Sequence, residues 1–427
     1  MIKNLIAGFC LFFAGVAFAQ QNSASPYSYY GIGDIKFKGT NENRAMGGVG
    51  ILPDSIHVNL QNPAGYSALK LTTFTIGGTT SSTGFKTNEG SDRSGRTTVD
   101  YIAVAIPVKR FGFAFGIMPY SAVGYRINNT TQPDPADGYV RYNEFEGTGG
   151  LNRVFGGASF NVTENFSIGG EFQYFFGDIE TRSLTTLPGG ALQYSTRETN
   201  ASEYDGYSYT LGAMYHKRIN NKWELYVSGA YTPETKLNST INRSLATVSI
   251  SSNGTESVID SQDYVLGSED IYLPSKVTGG FGFGQARRWF AGADITLQDA
   301  NSLSARFQGI DNVAFEKSQK MSLGGYWIPK FNSFTSYLSR ITYRAGVKYE
   351  KTGLVLNNEN INDMALTFGV GLPLSSVVGS YGSSNLNIGA EIGRRGTTAS
   401  GLIQENYVNI FISLSLNDRW FIKRKYE

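Results

Sequence analysis

The feature that most constrains this chain is a strict two-residue alternation that runs through segment after segment. From Tyr407 to Leu416 one face carries Val408, Ile410, Ile412, Leu414 and Leu416, and the other Tyr407, Asn409, Phe411, Ser413 and Ser415. Segments 289–298, 363–372 and 385–393 repeat the pattern. Segment 341–350 sets Ile341, Tyr343, Ala345, Val347 and Tyr349 against Thr342, Arg344, Gly346, Lys348 and Glu350. Period two is the geometry of a strand with unlike faces, and by itself it fits any sheet with one wet face, a soluble sandwich included. The charges decide further, because they fall on the less apolar face. Arg or Lys turned toward hydrocarbon at mid-depth costs roughly 2–4 kcal/mol, so Arg344 and Lys348 fix the inward side of a membrane barrel. Trp223, Tyr231, Trp289, Tyr343 and Tyr349 stand near segment ends, where an interfacial aromatic girdle belongs.

Fourteen such segments are expected, near 71–80, 98–107, 110–120, 149–160, 166–178, 206–216, 222–232, 275–285, 288–298, 319–328, 340–350, 363–373, 384–394 and 406–416. Segments 98–107 and 149–160 alternate poorly. Long connections (81–97, 121–148, 179–205, 233–274, 299–318, 351–362, 395–405) take turns with mostly shorter ones, the asymmetry of an outer-membrane barrel with long extracellular loops and short periplasmic turns. An even strand number returns both barrel ends to the periplasm. The expected fold class is therefore all-β, a transmembrane antiparallel β-barrel of about 14 strands. Composition agrees: aromatics are 13% of the 427 residues, Gly numbers 51, and charged residues reach only 17%, against about 25% in an average soluble domain. A formal net charge of +2 gives no electrostatic case for nucleic acid, and no apolar run is long enough for a membrane helix.

The two ends read differently from the middle. Residues 1–19 form a secretory signal peptide: Lys3 supplies the positive start, Leu5 to Phe18 the apolar stretch, and Ala17-Phe18-Ala19 the cleavage site. The single cysteine, Cys10, lies inside it, so the mature chain has no disulfide, thiolate ligand or Cys nucleophile. Residues 417–427 interleave Arg419, Lys423, Arg424 and Lys425 with Trp420, Phe421 and Tyr426, as a docking tail or a solvated one would.

Residues 20–70 precede the first strand and are rich in Gly and turns, a periplasmic extension or, inside a barrel interior that must be filled or conduct water, a plug. Gly31-Ile32-Gly33, then Asn43-Arg44-Ala45-Met46-Gly47-Gly48, then Asp54 and Asn62-Pro63-Ala64 follow one another in an order that resembles the N-terminal hatch of the FadL/TodX family of outer-membrane transporters for hydrophobic compounds. Ser28 to Asp34 and the ending Asn417 to Lys425 are similar to the Bacteroidota branch. The resemblance implies a fourteen-stranded barrel (71–416) plugged by a hatch (20–70) whose key residues are Gly31, Gly33, Arg44, Gly47, Gly48, Asn62, Pro63 and Ala64. It also implies a lateral exit beside a kinked third strand. Pro119 cannot donate to a ladder, so Pro119, Ser121 and Gly124 are the gate candidates, with simple strand termination as the alternative.

No reaction centre emerges. Nucleophile-elbow, Walker and zinc-protease motifs are all missing from the sequence, so no enzyme activity, cofactor or metal is expected. His57 and His216 are far apart, and neither stands beside an evident Ser–carboxylate pair. Asp134 to Gly138 and Ser268-Glu269-Asp270 read as solvated turns before they read as Ca²⁺ loops. Glu171, Asp294, Arg344, Lys348 and Glu391 are the polar candidates of the lumen, their mixed signs suiting mutual pairing better than capture of a carboxylate. Leu184, Leu187, Leu192, Leu237, Leu245, Val248 and Ile250 lie in the two largest loops, as a capture groove or as loop packing.

The leading expectation is passive outer-membrane uptake of small hydrophobic, fatty-acid-like compounds through a hatch-plugged barrel. Its surroundings would be the lipid bilayer, lipopolysaccharide, a hydrophobic ligand and the barrel-assembly machinery. The alternative is a non-transporting barrel serving a large outer-membrane assembly such as type IX protein secretion.

Overall fold

A computed structural model describes residues 23–131, 140–187, 194–220, 222–251, 253–300, 312–374 and 384–420. The signal peptide, Asp134 to Gly138, Leu192 and the last seven residues of the tail lie outside them.

The strands in chain order are β1 (Asp34–Ile35), β2 (Thr72–Lys86), β3 (Ser91–Val108), β4 (Phe111–Pro119), β5 (Ser121–Thr130), β6 (Tyr142–Asn161), β7 (Phe166–Thr186), β8 (Tyr194–Ile219), β9 (Trp223–Thr232) and β10 (Thr235–Ile250). They continue with β11 (Glu256–Leu273), β12 (Lys276–Gln285), β13 (Trp289–Gln298), β14 (Val313–Phe315), β15 (Ser318–Trp327), β16 (Thr342–Leu356), β17 (Glu359–Pro373), β18 (Asn385–Arg395) and β19 (Gln404–Asp418). Antiparallel pairing runs round a ring of 14 and closes where β19 meets β2, with Leu414 opposite Ile76. Closure removes the open edges that a sheet of this size would otherwise expose. Within the ring, β5, β10, β11 and β14 prolong β4, β9, β12 and β15 beyond the wall. No described helix is long and apolar enough to cross a membrane.

The alternation sorts as expected. On β17, Met364, Leu366 and Phe368 are each at least half exposed on the outside, while Ala365 and Thr367 are buried within. Val408, Ile410 and Ile412 point outward, whereas Asn409, Phe411, Ser413 and Ser415 are buried inside. Arg344, Lys348 and Glu391 face inward, as the cost of charge in hydrocarbon requires. Rings gather at the turn end of the wall: Trp223 lies 5.7 Å from Trp289, and Trp327 lies 5.8 Å from Tyr343.

The extent of the strands differs from expectation. The long connections 81–97, 121–148, 179–205, 233–274 and 351–362 are mostly strand, because hairpins that stand beyond the lipid are not held to an apolar outer face. Ser268 to Asp270 accordingly belongs to β11 and is not a turn. Segment 98–107 alternates poorly because Asp100 is an extra residue: the register jumps from Gly77↔Tyr101 to Gly78↔Val99, a β-bulge. Segment 149–160 does so because Leu151 and Phe155 turn inward into apolar clusters.

Residues 23–70 run inside the ring. Val58, Leu60, Tyr66 and Leu69 pack with inward side chains of β3, β4 and β6, while Met46, Val49 and Ile51 pack with Tyr226 and Phe290 on the opposite arc. The segment thus packs against inward side chains on both arcs of the ring.

Candidate functional site

The lumen is built from two partners: the wall, which presents small and charged side chains, and the N-terminal segment, whose backbone needs both. Asn41 to Arg44 form one helical turn, and Gly47 and Gly48 follow with φ of 72° and 94°. This left-handed backbone is open to Gly at little cost, and it reverses the chain against the wall. The wall meets it with glycines: a Cβ on Gly324 or Gly346 would collide with the Met46 backbone, and one on Gly47 would stand 2.6 Å from the Val347 carbonyl. Gly346 and its neighbours are thus more than the small residues of a polar face. They are the surface on which the segment rests.

Polar ties fix the register. The Arg44 Nε donates to Glu391 at 2.7 Å and its Nη1 to Thr79 at 2.8 Å, with the guanidinium over the Phe411 ring. Lys348 reaches Glu391 at 2.7 Å and Asp363 at 3.1 Å. Asp294 accepts from the Gly50 N–H at 2.9 Å. Glu171 accepts from Lys38 at 2.7 Å, from Gln173 at 2.8 Å and from the Tyr66 hydroxyl. Arg344 donates to Asn387 at 3.0 Å, and Asn387 donates to Glu42 at 2.6 Å. Each of the five lumen candidates therefore belongs to a polar group that joins segment and wall, Lys348 and Glu391 sharing one. Buried charges are tolerable when paired in this way.

The second anchor is Asn62-Pro63-Ala64. Asn62 caps a 3-10 turn at Pro63–Ala68 by accepting from the Ala64 N–H at 3.0 Å, and Pro63 sits first in the turn, where no N–H is needed. The same amide donates to Ser228 and to the Gly229 carbonyl, each at 2.9 Å, so one side chain shapes the segment and moors it to β9.

Sequence reasoning set His57 aside as a catalytic or metal-binding residue and did not foresee its carboxylate partners. Its Nδ1 lies 2.8 Å from Asp54 and its Nε2 3.6 Å from Glu42. The imidazolium holds the Asp54 carboxyl down to about 2, and the paired carboxylates raise His57 against its desolvation. His216 stacks on Tyr226 at 4.7 Å and lies 3.6 Å from Glu224, far from this group. Among the described residues, no group of three or more His, Cys, Asp or Glu could hold a metal ion.

Strand three breaks at Tyr120. Below the break β4 pairs with β3, from Val108↔Phe111 to Ile102↔Ile117. Above it β5 keeps its pairing with β6 but leaves β3, and instead takes up β1, with Ser121 opposite Ile35 and Ala122 opposite Asp34. The Lys36 N–H donates to the Tyr120 carbonyl at 2.8 Å, extending that exchange by one bond. Gly31 and Gly33, with φ of 65° and 89°, lead into β1, and a Cβ on Gly33 would press on the Ala122 carbonyl. The Gly124 N–H donates to the Ser28 hydroxyl at 3.1 Å. Pro119, Ser121 and Gly124 thus flank the point where the wall strand bends inward. Among the described residues, the part of β3 from Ser91 to Tyr101 has a strand partner, β2, on one side alone.

The space left in the lumen is a cavity of ≈ 460 Å³. Its lining includes Lys36, Lys276, Lys320, Asp100, Glu350 and Asp363 beside the residues already named. The same lining carries Ile32, Phe37, Ile51, Phe315 and Leu354, so charged and apolar side chains share the cavity in comparable measure.

The family model for BamG matches residues 1–427. No curated protein matches the sequence. Among solved structures, the Pseudomonas putida toluene transporter TodX is 16% identical at a TM-score of 0.56, covering 91% of this chain and 100% of its own. The Ralstonia pickettii toluene transporter TbuX is 14% identical at 0.56, covering 90% and 99%. A Pseudomonas aeruginosa FadL homologue is 13% identical at 0.57, covering 92% and 100%. At these identities the likeness is one of fold: the barrel is built like those of hydrophobic-compound transporters.

Proposed function

The chain belongs to the BamG family, and from that membership we propose that it is a non-transporting outer-membrane barrel that serves as an accessory subunit of a larger assembly. The family name hints at the barrel-assembly machinery as that assembly. The observation that carries the reading is the interior. Residues 23–70 act as a plug, held to the wall by Arg44–Glu391, Lys38–Glu171 and Asp34–Arg395, and the remaining cavity sets charged side chains among apolar ones without a continuous apolar path. A path for a hydrophobic solute needs apolar walls, and a plug that opens in each transport cycle would have to break several buried ion pairs at once. Breaking one such pair by removing a partner costs about 3–5 kcal/mol. Membrane residence rests on the apolar belt, with lipid and lipopolysaccharide as its surroundings.

Purification from native membranes in mild detergent tests this. The expected result is a stoichiometric complex with a large outer-membrane partner and no bound hydrophobic molecule. A lone barrel carrying one stoichiometric hydrophobic molecule overturns it.

One observation favours a second reading, passive uptake of fatty-acid-like compounds: the wall parts between β3 and β5, beside Pro119, in a fold shared with toluene transporters. Uptake measured in vesicles would then fall when the gap is closed by a disulfide between β3 and β5. A type IX secretion complex is a further candidate for the larger assembly, separated from the first by the identity of the co-purifying partner.

A further inference from the structure

We propose that β11 is the surface through which this barrel holds its partner: its outer edge takes a basic, extended segment of another outer-membrane protein as an added strand. The inference rests on the accessory-subunit reading and names the kind of contact it would use.

β10 and β11 form a hairpin that rises from the wall at the end bearing the long connections. β8 occupies one edge of β10 and β11 the other, over Thr235↔Leu273 to Ile250↔Glu256. Among the described residues, β11 has a pairing register with β10 alone. Residues 257–268 are exposed throughout, on both faces of the strand. Val258, Ile259, Tyr264, Val265 and Leu266 are among them, Val265 at 78% exposure.

Lipid does not account for these side chains. The outward ring at the top of the apolar belt is Tyr207, stacked 5.7 Å from Phe172, and its neighbour Gly206 is opposite Leu237. Val265 is opposite Asn242, five residues further along β10 than Leu237. At about 3.3 Å per residue, that is about 16 Å further along the strand, beyond the belt and in water. Large apolar side chains clustered in water mark an interaction surface, and a row of unpaired backbone groups is a template for another strand.

Charge selects the occupant. β11 contains Glu256, Asp260, Asp263, Glu269 and Asp270 and no Lys or Arg. Glu256 is taken by Arg182 and Arg197, and Asp270 by Lys236 at 2.7 Å. Asp260 and Asp263 have no ion pair among the described residues, and they stand between the exposed pair Val258-Ile259 and the exposed run Tyr264-Val265-Leu266. Acidic residues alone would blunt the edge against any strand. Beside exposed Val, Ile and Leu they discriminate, admitting a strand that brings cations and repelling one that does not.

The test uses the full chain in its native membrane, with the photo-crosslinking residue p-benzoylphenylalanine placed at Val265 or Leu266, followed by irradiation of intact cells and sequencing of the adducts. The expected adduct joins either position to one net-positive segment of an outer-membrane protein that co-purifies with the chain. The double variant Asp260→Lys, Asp263→Lys should lower adduct yield at least tenfold while the folded barrel is recovered in full. Absence of an adduct, or adducts with lipid, with a second copy or with a segment lacking net positive charge, overturns the inference. If the chain still co-purifies with a partner in those cases, the accessory-subunit reading stands and the β11 edge alone is rejected. If the chain purifies alone with a hydrophobic molecule, both fall.

Discussion

The Arg44 guanidinium and the Glu391 carboxylate, 347 positions apart in the chain, meet at 2.7 Å inside the barrel. Glu391 is only 2% exposed and also receives Lys348 at 2.7 Å. The pair thus ties the N-terminal segment to the wall. Arg44→Ala leaves Glu391 with Lys348 as its remaining cation, so the cost falls below the about 3–5 kcal/mol of a buried charge left wholly unpaired. The expected outcome is faster proteolysis within residues 23–70 with the barrel itself still folded. Arg44→Ala combined with Glu391→Ala should be less destabilising than the sum of the single variants, as measured by thermal unfolding in detergent.

Contact between glycine and backbone gives a prediction without charge. Gly346→Val places side-chain atoms where the Met46 backbone lies, whereas Gly156 has open space around its would-be Cβ. Val suits a strand in both places. Gly346→Val should therefore expel the segment, read as protease sensitivity of residues 23–70, and Gly156→Val should leave it protected. Equal protection in both variants would mean that the segment rests elsewhere.

The sequence makes one half of this architecture visible and hides the other, for a physical reason. Val408, Ile410 and Ile412 declare a lipid face because the bilayer penalises every exception, and Arg344 and Lys348 declare the inner one. Asn62-Pro63-Ala64 is legible because a local cap needs those residue types in that order. Asp100 is invisible as a bulge until Gly77 and Gly78 are seen across from it. β11 has water on both faces from 257 to 268, so nothing imposes alternation on it. The exchange by which β5 leaves β3 for β1 depends on a two-residue strand, Asp34–Ile35, too short to carry a pattern. Glu391 reads as inward from alternation, but its partner Arg44 lies at the other end of the chain, and only closure of the ring brings the two together.

The proposed plugging role of residues 23–70 can be tested by removal. Without residues 23–64, the wall would enclose an open polar lumen in place of a cavity of ≈ 460 Å³. Barrels of this size then conduct. In planar bilayers the shortened chain should show steady ionic channels and the full chain none. Equal conductance in the two would reject a plugging role.

His57 sets a pH dependence whose sign can be worked out on both flanks. Its folded pKa is raised from 6.5 by Asp54 and Glu42, so its contribution is fully present below 6.5 and disappears as pH rises through the higher folded value. Asp54 is lowered from 3.8 to about 2 by the same contact, so its contribution is present above 3.8 and disappears as pH falls toward 2. The thermal midpoint should accordingly fall on the alkaline side of 6.5 and again on the acid side of 3.8. His57→Gln keeps a polar ring-sized group yet has no charge to lose, so the alkaline decline should flatten while the midpoint at pH 6 drops. Asp54→Asn should remove much of the acid decline. If His57→Gln retains the full alkaline slope, another group titrates there and the Asp54–His57–Glu42 cluster does not couple the segment's seating to pH.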